Sequence, residues 1–350
     1  MTQSKYSSFK IAAFPDKIRS LINGDITAPL YVRIKPINAC NHNCGFCAYK
    51  KGQYIHDNCN RVDSLTTKKL LEVINDIADI GVKGVVFSGG GEPLLHKGIV
   101  PAFESCSERG LKIGLITNGQ ALTSSKIDSL INASWVRLSV DYWDAESFSA
   151  SRGVANKYFD KILANVLFLS AKKSDSCDLE INFIITKENY RHIQEAAEMV
   201  KGLGVDNIRF CPAWGNDFIN YHAPIQEEVL TSIQEAQKLS NDKFKVYSSY
   251  DGISESVFNR PYRKCYFNQV CTVIAADYNV YFCHDKSYSS VGVIGSIKDQ
   301  KFSDLWFSQD TKGIFDNFNP QESCNGHRCS SENRNLFIHE ILGCANDPFI

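Results

Sequence analysis

The sequence predicts an α/β protein, a partial barrel of six parallel βα units followed by a small α+β domain, and three observations lead there. Short β-type runs alternate with amphipathic segments from Tyr31 to about residue 240, the pattern of repeated βα units around a parallel sheet. Beyond that point the alternation stops and cysteines cluster, from Cys265 to Cys344. The chain has 350 residues, 43% of them hydrophobic, enough to bury one barrel-sized core and a smaller one. The expected division is 1–30 as an N-terminal extension, 31–240 as the barrel and 241–350 as the second domain.

Residues 1–30 are polar and mixed, punctuated by Pro15 and Pro29, with a short helix expected around Lys17–Ile22. The six strands are expected at Tyr31–Lys35, Lys83–Phe87, Lys112–Ile116, Trp135–Val140, Leu179–Ile185 and Asn207–Phe210. Between them Leu70, Ile74, Ile77 and Ala78 recur at i, i+4, i+7, i+8, and Ile193, Ala196, Ala197 and Val200 at i, i+3, i+4, i+7. Each such segment presents one apolar face to a sheet. Ser64–Thr67 supply N-cap side chains, and Gly81 and Gly204 stand where helix C-caps are wanted. A further helix is expected over Gln226–Leu239, with Val229, Leu230, Ile233 and Ala236 on one face. Thr272–Ala276 and Val280–Phe282 flank Asp277-Tyr278-Asn279 as a hairpin, Ile294-Gly295 reads as a turn, and Phe302–Phe307 reads as the start of a helix.

The connection from Ile37 to Asp63 is long for a compact domain, and such loops are usually functional. It holds Cys40, Cys44 and Cys47 at CxxxCxxC spacing, with Phe46 just before the third thiol. A tetrahedral structural zinc takes four ligands, whereas an iron–sulfur cubane accepts three thiolates and leaves one iron open. His56, Asp57 and Cys59 share the loop, and Cys59 reads as a packing thiol. Ser88-Gly89-Gly90-Gly91-Glu92-Pro93 follows one strand, Thr117-Asn118-Gly119 ends the next, and Arg137-Leu138-Ser139-Val140-Asp141 ends the one after, with Arg152-Gly153 beyond it. All lie just past strand C-terminal ends, the face where parallel βα barrels carry their active sites. Each also has a plainer reading: the glycines as a tight turn, Ser139 and Asp141 as capping residues, Arg152 as a solvated arginine.

Taken in order from Tyr31 to Cys344, these features resemble the radical S-adenosylmethionine superfamily, and the barrel is then a partial (β/α)6 TIM-like one. The resemblance implies that Cys40, Cys44 and Cys47 hold a [4Fe–4S] cluster whose open iron takes the amine and carboxylate of S-adenosylmethionine. It implies that Phe46 abuts the adenine and that the turn Gly90, Gly91 and Glu92 meets the amino group. Asn118, Ser139, Asp141 and Arg152 would complete the cofactor site, the last segments being similar to those that hold ribose and carboxylate in relatives. Reductive cleavage to a 5′-deoxyadenosyl radical that abstracts a substrate hydrogen is the implied chemistry, fed by a reducing electron donor such as flavodoxin or ferredoxin.

The C-terminal cysteines resemble the twitch/SPASM auxiliary-cluster domain. Cys265 precedes the hairpin, Cys283 follows its return strand 18 residues on, and a Trp306 helix leads to Cys324 and Cys329. The resemblance implies one auxiliary [4Fe–4S] cluster on these four. The four residues between Cys324 and Cys329 exceed the family's common spacing, so His327 and Cys344 stand as reserve ligands, and a zinc ribbon is the structural alternative. Six cysteines follow residue 260, two fewer than a pair of four-thiolate clusters needs. Cys211, at a strand end facing the expected cavity, is a candidate hydrogen donor to a substrate radical, with packing as the plainer role. Cys106, Cys177 and Cys271 read as packing thiols.

Formal charge is −1, from 38 basic and 39 acidic residues, so no global field favours nucleic acid. Residues 1–16 hold no apolar core of signal-peptide length, and no run of about 18 apolar residues suits a membrane span. A soluble, cytoplasmic protein is expected, its thirteen cysteines serving metal rather than disulfides. Two enzyme readings compete: oxidation or epimerisation of a small sugar-like or cyclitol molecule, and modification of a peptide or protein side chain. Peptide-modifying relatives often carry a leader-binding domain ahead of the barrel, and residues 1–30 are too short for one, which favours the small molecule. A non-catalytic iron–sulfur or zinc-binding regulator is the reading from another class.

Overall fold

A computed structural model describes residues 6–49, 59–215, 217–250, 260–324 and 329–344. His56, Asp57 and His327 lie outside the described residues. Strands β1 (Tyr31–Ile34), β2 (Gly84–Phe87), β3 (Lys112–Thr117), β4 (Trp135–Ser139), β5 (Asp178–Ile185) and β6 (Asn207–Pro212) run parallel in chain order. They match the expected strands to within a residue or two at each end, the usual uncertainty of a boundary.

Alternation along each strand sorts the two faces. Val32, Ile34, Phe87, Leu115, Val136, Leu138, Ile208 and Phe210 are buried in the core, while Arg33, Arg137, Asn182, Arg209 and Cys211 line the lumen. Helices Thr67–Asp79, Ile99–Glu108, Lys157–Lys172, Ile193–Lys201 and Gln226–Gln237 contribute Leu70, Ile74, Ile77, Ile193, Ala196, Ala197 and Val200 to that core. Thr66 caps the first of them, its side chain accepting from Lys69 N at 3.2 Å. Gly81 and Gly204 take φ of 91° and 69° where the chain leaves a helix, as an αL cap requires.

A seventh parallel strand that the sequence pattern does not reveal, β7 (Lys245–Ser248), joins β6. Only Val246 of its four residues is buried, so an edge strand this short carries no periodic signal. Nor is the C-terminal segment set apart from the barrel sheet. Strand β8 (Cys271–Ile274) pairs in parallel with β1, Tyr31 opposite Cys271, and antiparallel β9 (Asn279–Tyr281) and β10 (Val293–Ser296) continue the same ten-stranded sheet. The expected hairpin is present as β8 and β9. Ile294-Gly295, read from sequence as a turn, lies inside β10 at a register shift between Val293 and Gly295. A Cβ at Gly295 would stand 2.6 Å from Leu305 of the helix Phe302–Trp306, so this glycine admits the helix to the sheet.

The N-terminal extension forms a helix, Pro15–Asn23, and packs against the C-terminal part through Phe9 on Phe337 and through the Trp306 indole N–H, which donates to Thr27 O at 3.0 Å. Tyr6 enters the lumen, with Arg209 4.3 Å from its ring centroid and Tyr247 packed edge-on at 5.2 Å. Among the described residues no helix is long and apolar enough to cross a membrane.

Candidate active site

The thiol loop leaves β1 and is pinned at its base by an antiparallel bridge between Ile37 and Ser64. The glycine turn after β2 is fastened to the segment just ahead of Cys40: Gly91 N donates to Ile37 O at 3.1 Å and Glu92 N to Ala39 O at 3.0 Å. A Cβ at Gly90 would strike the Asn38 side chain and the Tyr288 hydroxyl, and one at Gly91 would strike the Ala39 carbonyl. Gly91 is therefore where two backbones must touch, and Gly90 makes room for the Asn38 and Tyr288 side chains.

Glu92 is buried, and its carboxylate ties the glycine turn to the end of β3. Oε1 accepts from Leu94 N at 3.0 Å and from Thr117 Oγ1 at 2.7 Å, and Oε2 accepts from Asn118 N at 2.8 Å. Burial pushes this carboxyl up and the three donors pull it back. Asn118, so oriented, turns its amide to the loop, donating to Asn41 Oδ1 at 2.8 Å and to Cys40 Sγ at 3.9 Å.

Arg152 approaches from the opposite side. Its guanidinium pairs with Asp141, donates to Ser139 O at 2.7 Å and to Cys44 Sγ at 3.4 Å, and stands 5.6 Å from the Phe46 ring centroid. Asp141 also accepts from Ser151 Oγ at 2.7 Å. The Arg152 carbonyl accepts from Asn43 N at 2.8 Å, so both main chain and side chain of one residue hold the loop. Ser139 contributes its carbonyl here. Among the described residues, Arg152 Nε and His42 Nδ1 are buried without partners.

This donor set suits a thiolate-ligated cluster. Burial pushes the Cys40 thiol up to about 11 and holds His42 down to about 4, beside Arg152, so the free thiol would stay protonated and a metal would supply the charge that makes a thiolate stable. N–H donors aimed at Cys40 and Cys44 are partners a cluster's sulfur ligands accept. Among the described residues no three His, Cys, Asp or Glu side chains close around one point as ligands to a single ion would. A cubane does not ask for that, since each thiolate holds its own iron. Beside the loop, Gly45, Phe46, Asp141, Trp143, Asn189 and Trp214 line a cleft of about 890 Å3.

A second cavity, about 1070 Å3, occupies the lumen. Cys211 lines it and donates to Asn182 Oδ1 at 3.2 Å, and Cys265, Cys283, Cys324, Cys329 and Cys271 line it too. Burial raises the first four C-terminal thiols, Cys265 to about 11, and neighbouring thiols raise Cys265, Cys283 and Cys329 further. Asn335 Nδ2 donates to Cys265 Sγ at 3.4 Å and Ser331 N to Cys329 Sγ at 3.3 Å. All four cysteines expected as auxiliary ligands line this one cavity, though no three of them close around one point. Cys344 is exposed at the end of the helix Glu332–Gly343 and does not line the cavity. Cys106 and Cys177 are buried in the core, and Cys59 packs against Val273, Ala275, Tyr281 and Tyr288.

Sequence reasoning missed Lys35, Tyr288 and Asn335. Lys35 is fully buried, donating to Tyr49 OH at 2.9 Å and to Ser287 Oγ at 2.5 Å. Tyr288, at φ 62°, donates to Asn38 Oδ1. A lysine closing an apolar run was the one available hint; the other two are unremarkable by sequence.

Residues 34–200 match the family model described as the Radical SAM superfamily. The AdoMet-dependent heme synthase of Methanosarcina barkeri is 26% identical over 301 residues, 80% of this chain and 82% of that protein. In fold, Streptococcus suis SuiB bound to its precursor peptide SuiA aligns with a TM-score of 0.63 at 17% identity, covering 87% of this chain and 70% of that one. Native anSMEcpe with bound AdoMet aligns with a TM-score of 0.60 at 18% identity, covering 90% of this chain and 96% of that one.

Proposed function

The chain belongs to the Radical SAM superfamily through residues 34–200, and on that premise we propose that Cys40, Cys44 and Cys47 hold its [4Fe–4S] cluster and that the enzyme oxidises or epimerises a small sugar-like or cyclitol molecule in the barrel lumen. When bound, the cluster and S-adenosylmethionine supply reductive cleavage to a 5′-deoxyadenosyl radical, the hydrogen-abstracting species. One observation carries the assignment of the site: Asn118 from the end of β3 and Arg152 from beyond β4 each donate to a sulfur of the CxxxCxxC loop, at 3.9 and 3.4 Å.

In this reading Phe46 and Asp141 line the adenosine side of the cofactor cleft, Arg152 orients Cys44 and Asp141, and Ser139 holds Arg152. Glu92, with a single bond to Oε2, keeps acceptor capacity for the cofactor's ammonium while positioning Asn118. Gly90 and Gly91 let that turn reach the loop. Residues 241–350 would serve as an auxiliary-cluster unit on Cys265, Cys283, Cys324 and Cys329, built onto the barrel of 31–240, with 1–30 as an extension. Cys211 stands where it could return a hydrogen atom to a substrate radical, as an epimerase requires and a dehydrogenase does not. A flavodoxin or ferredoxin would deliver the electron.

Anaerobic incubation with S-adenosylmethionine and dithionite tests this. Release of 5′-deoxyadenosine, abolished by Cys40→Ala, Cys44→Ala or Cys47→Ala in folded protein, is the expected result. An intact protein that binds iron and releases none is a regulator. With substrate in hand, Cys211→Ala should stop an epimerisation and leave an oxidation running.

A further inference from the structure

Among the described residues the lumen carries more positive charge than its own acids neutralise. Arg33, Arg137, Arg209, Arg260 and Arg334 line it. Glu180 pairs with Arg137 at 2.7 Å and Glu332 with Arg260 at 3.0 Å. Asp285 is engaged by Ser330, accepting from its N at 2.9 Å and its Oγ at 3.0 Å. Arg209 is left over the Tyr6 ring, with no carboxylate partner among the described residues. Among the described residues Arg33 meets only the His284 ring, at 3.4 Å, and its Nε is buried with no acceptor.

Both arginines sit at inward positions of their strands, between buried neighbours, so the cavity is their outlet: Val32 and Ile34 flank Arg33, and Ile208 and Phe210 flank Arg209. A cation enclosed without a counter-charge is costly, and a guanidinium fork fits an oxyanion by two parallel hydrogen bonds. Two of the four C-terminal thiols have cations of their own: Arg260 acts on Cys324 and Cys329, and Lys286 on Cys324. Arg209 instead stands two residues before Cys211, on the wall where Cys211 meets Asn182.

We propose that the lumen binds a small molecule bearing an oxyanion, a carboxylate or a phosphate ester, held by Arg209 and Arg33 with its reacting part toward Cys211. This deepens the reading above and rests on it. The two arginines would fix the charged end of the substrate, leaving its hydroxylated carbon framework to the mouth of the barrel. A neutral sugar or cyclitol is thereby disfavoured relative to its acid or its phosphate.

Calorimetry on the anaerobic holoenzyme decides it, with succinate and glycerol 3-phosphate as probes and succinamide and glycerol as their neutral counterparts. One or both anions should bind and the neutral molecules should not; the anion that binds identifies the source as carboxylate or phosphate. Arg209→Gln and Arg33→Gln should each weaken that binding about ten- to a hundredfold, the worth of a charge-assisted hydrogen bond or two. Iron content reports that each variant is intact. If Arg33→Gln does not fold, Arg209→Gln and Arg209→Lys carry the test, the lysine retaining charge but losing the fork. Binding of neither anion, equal binding of the neutral molecules, or unchanged affinity in Arg209→Gln would overturn the proposal. Release of 5′-deoxyadenosine by the same preparation separates the two readings: release without anion binding removes only the lumen site, whereas anion binding without release removes the radical chemistry and leaves the site.

Discussion

Arg152 is the residue on which the mouth of the barrel depends most, because four separate groups lean on it: Asp141, the Ser139 carbonyl, the Cys44 sulfur and, through its own carbonyl, Asn43. Its side chain and that of Asp141 are 4% and 1% exposed, so removing one partner strands a buried charge. Arg152→Gln and Asp141→Asn should each destabilise the fold by about 3–5 kcal/mol, and the double variant should lose less than the sum. A thermal-unfolding double-mutant cycle on the cluster-free protein checks it; strict additivity would mean the pair is not coupled. Lys35 predicts a pH dependence. Burial holds its ammonium down to about 7, against about 10.4 in an unfolded chain. Between those values the unfolded chain binds the extra proton, so this group makes stability rise as pH goes from about 7 to about 10 and levels off below about 7. Lys35→Met should therefore gain most over the parent at pH 7 or below, and the gain should shrink by pH 10 in denaturant titrations.

At the scale of elements, the glycine turn and the thiol loop act as one unit. A methyl at Gly91 would meet the Ala39 carbonyl, one residue before the first thiol. Gly91→Ala should leave the barrel's circular dichroism intact and lower the iron bound at Cys40, Cys44 and Cys47; full iron loading would show that the loop tolerates the shift. The C-terminal thiols form the other unit. Reconstituted protein should carry about eight iron atoms, and Cys265→Ala/Cys283→Ala about four, with 5′-deoxyadenosine release retained. About four iron and one zinc in the parent would make the second site a zinc site instead.

For the whole molecule the governing fact is one continuous sheet. β8 supplies the neighbour of β1, Tyr288 reaches Asn38 beside the thiol loop, and Trp306 holds Thr27. A chain ending at residue 260 would bare the β1 edge, an invitation to aggregate. It should be insoluble or unable to hold the first cluster, and a soluble, loaded fragment would show the barrel to be independent.

The sequence by itself determined the six βα units, because each is a local pattern: period-2 runs such as Val136–Leu138 and the 3.6-period faces of Leu70–Ile77 report their burial within a dozen residues. It also pointed to the mouth, because CxxxCxxC is a local motif and each of the other candidates follows a strand end of its own. Tertiary structure alone decided the rest. β7 is an edge strand with one buried residue, so nothing periodic marks it. Ile294-Gly295 looks like a turn because glycine usually makes one; here it is a strand position that Leu305 crowds. The joining of β8 to β1 is a pairing of segments more than 230 residues apart, and no local pattern encodes a partner. Arg33 and Arg209 share that origin: each is one polar residue between apolar neighbours in its own strand, and only the tertiary fold brings them to the same cavity, where charge without a counter-charge becomes a binding site.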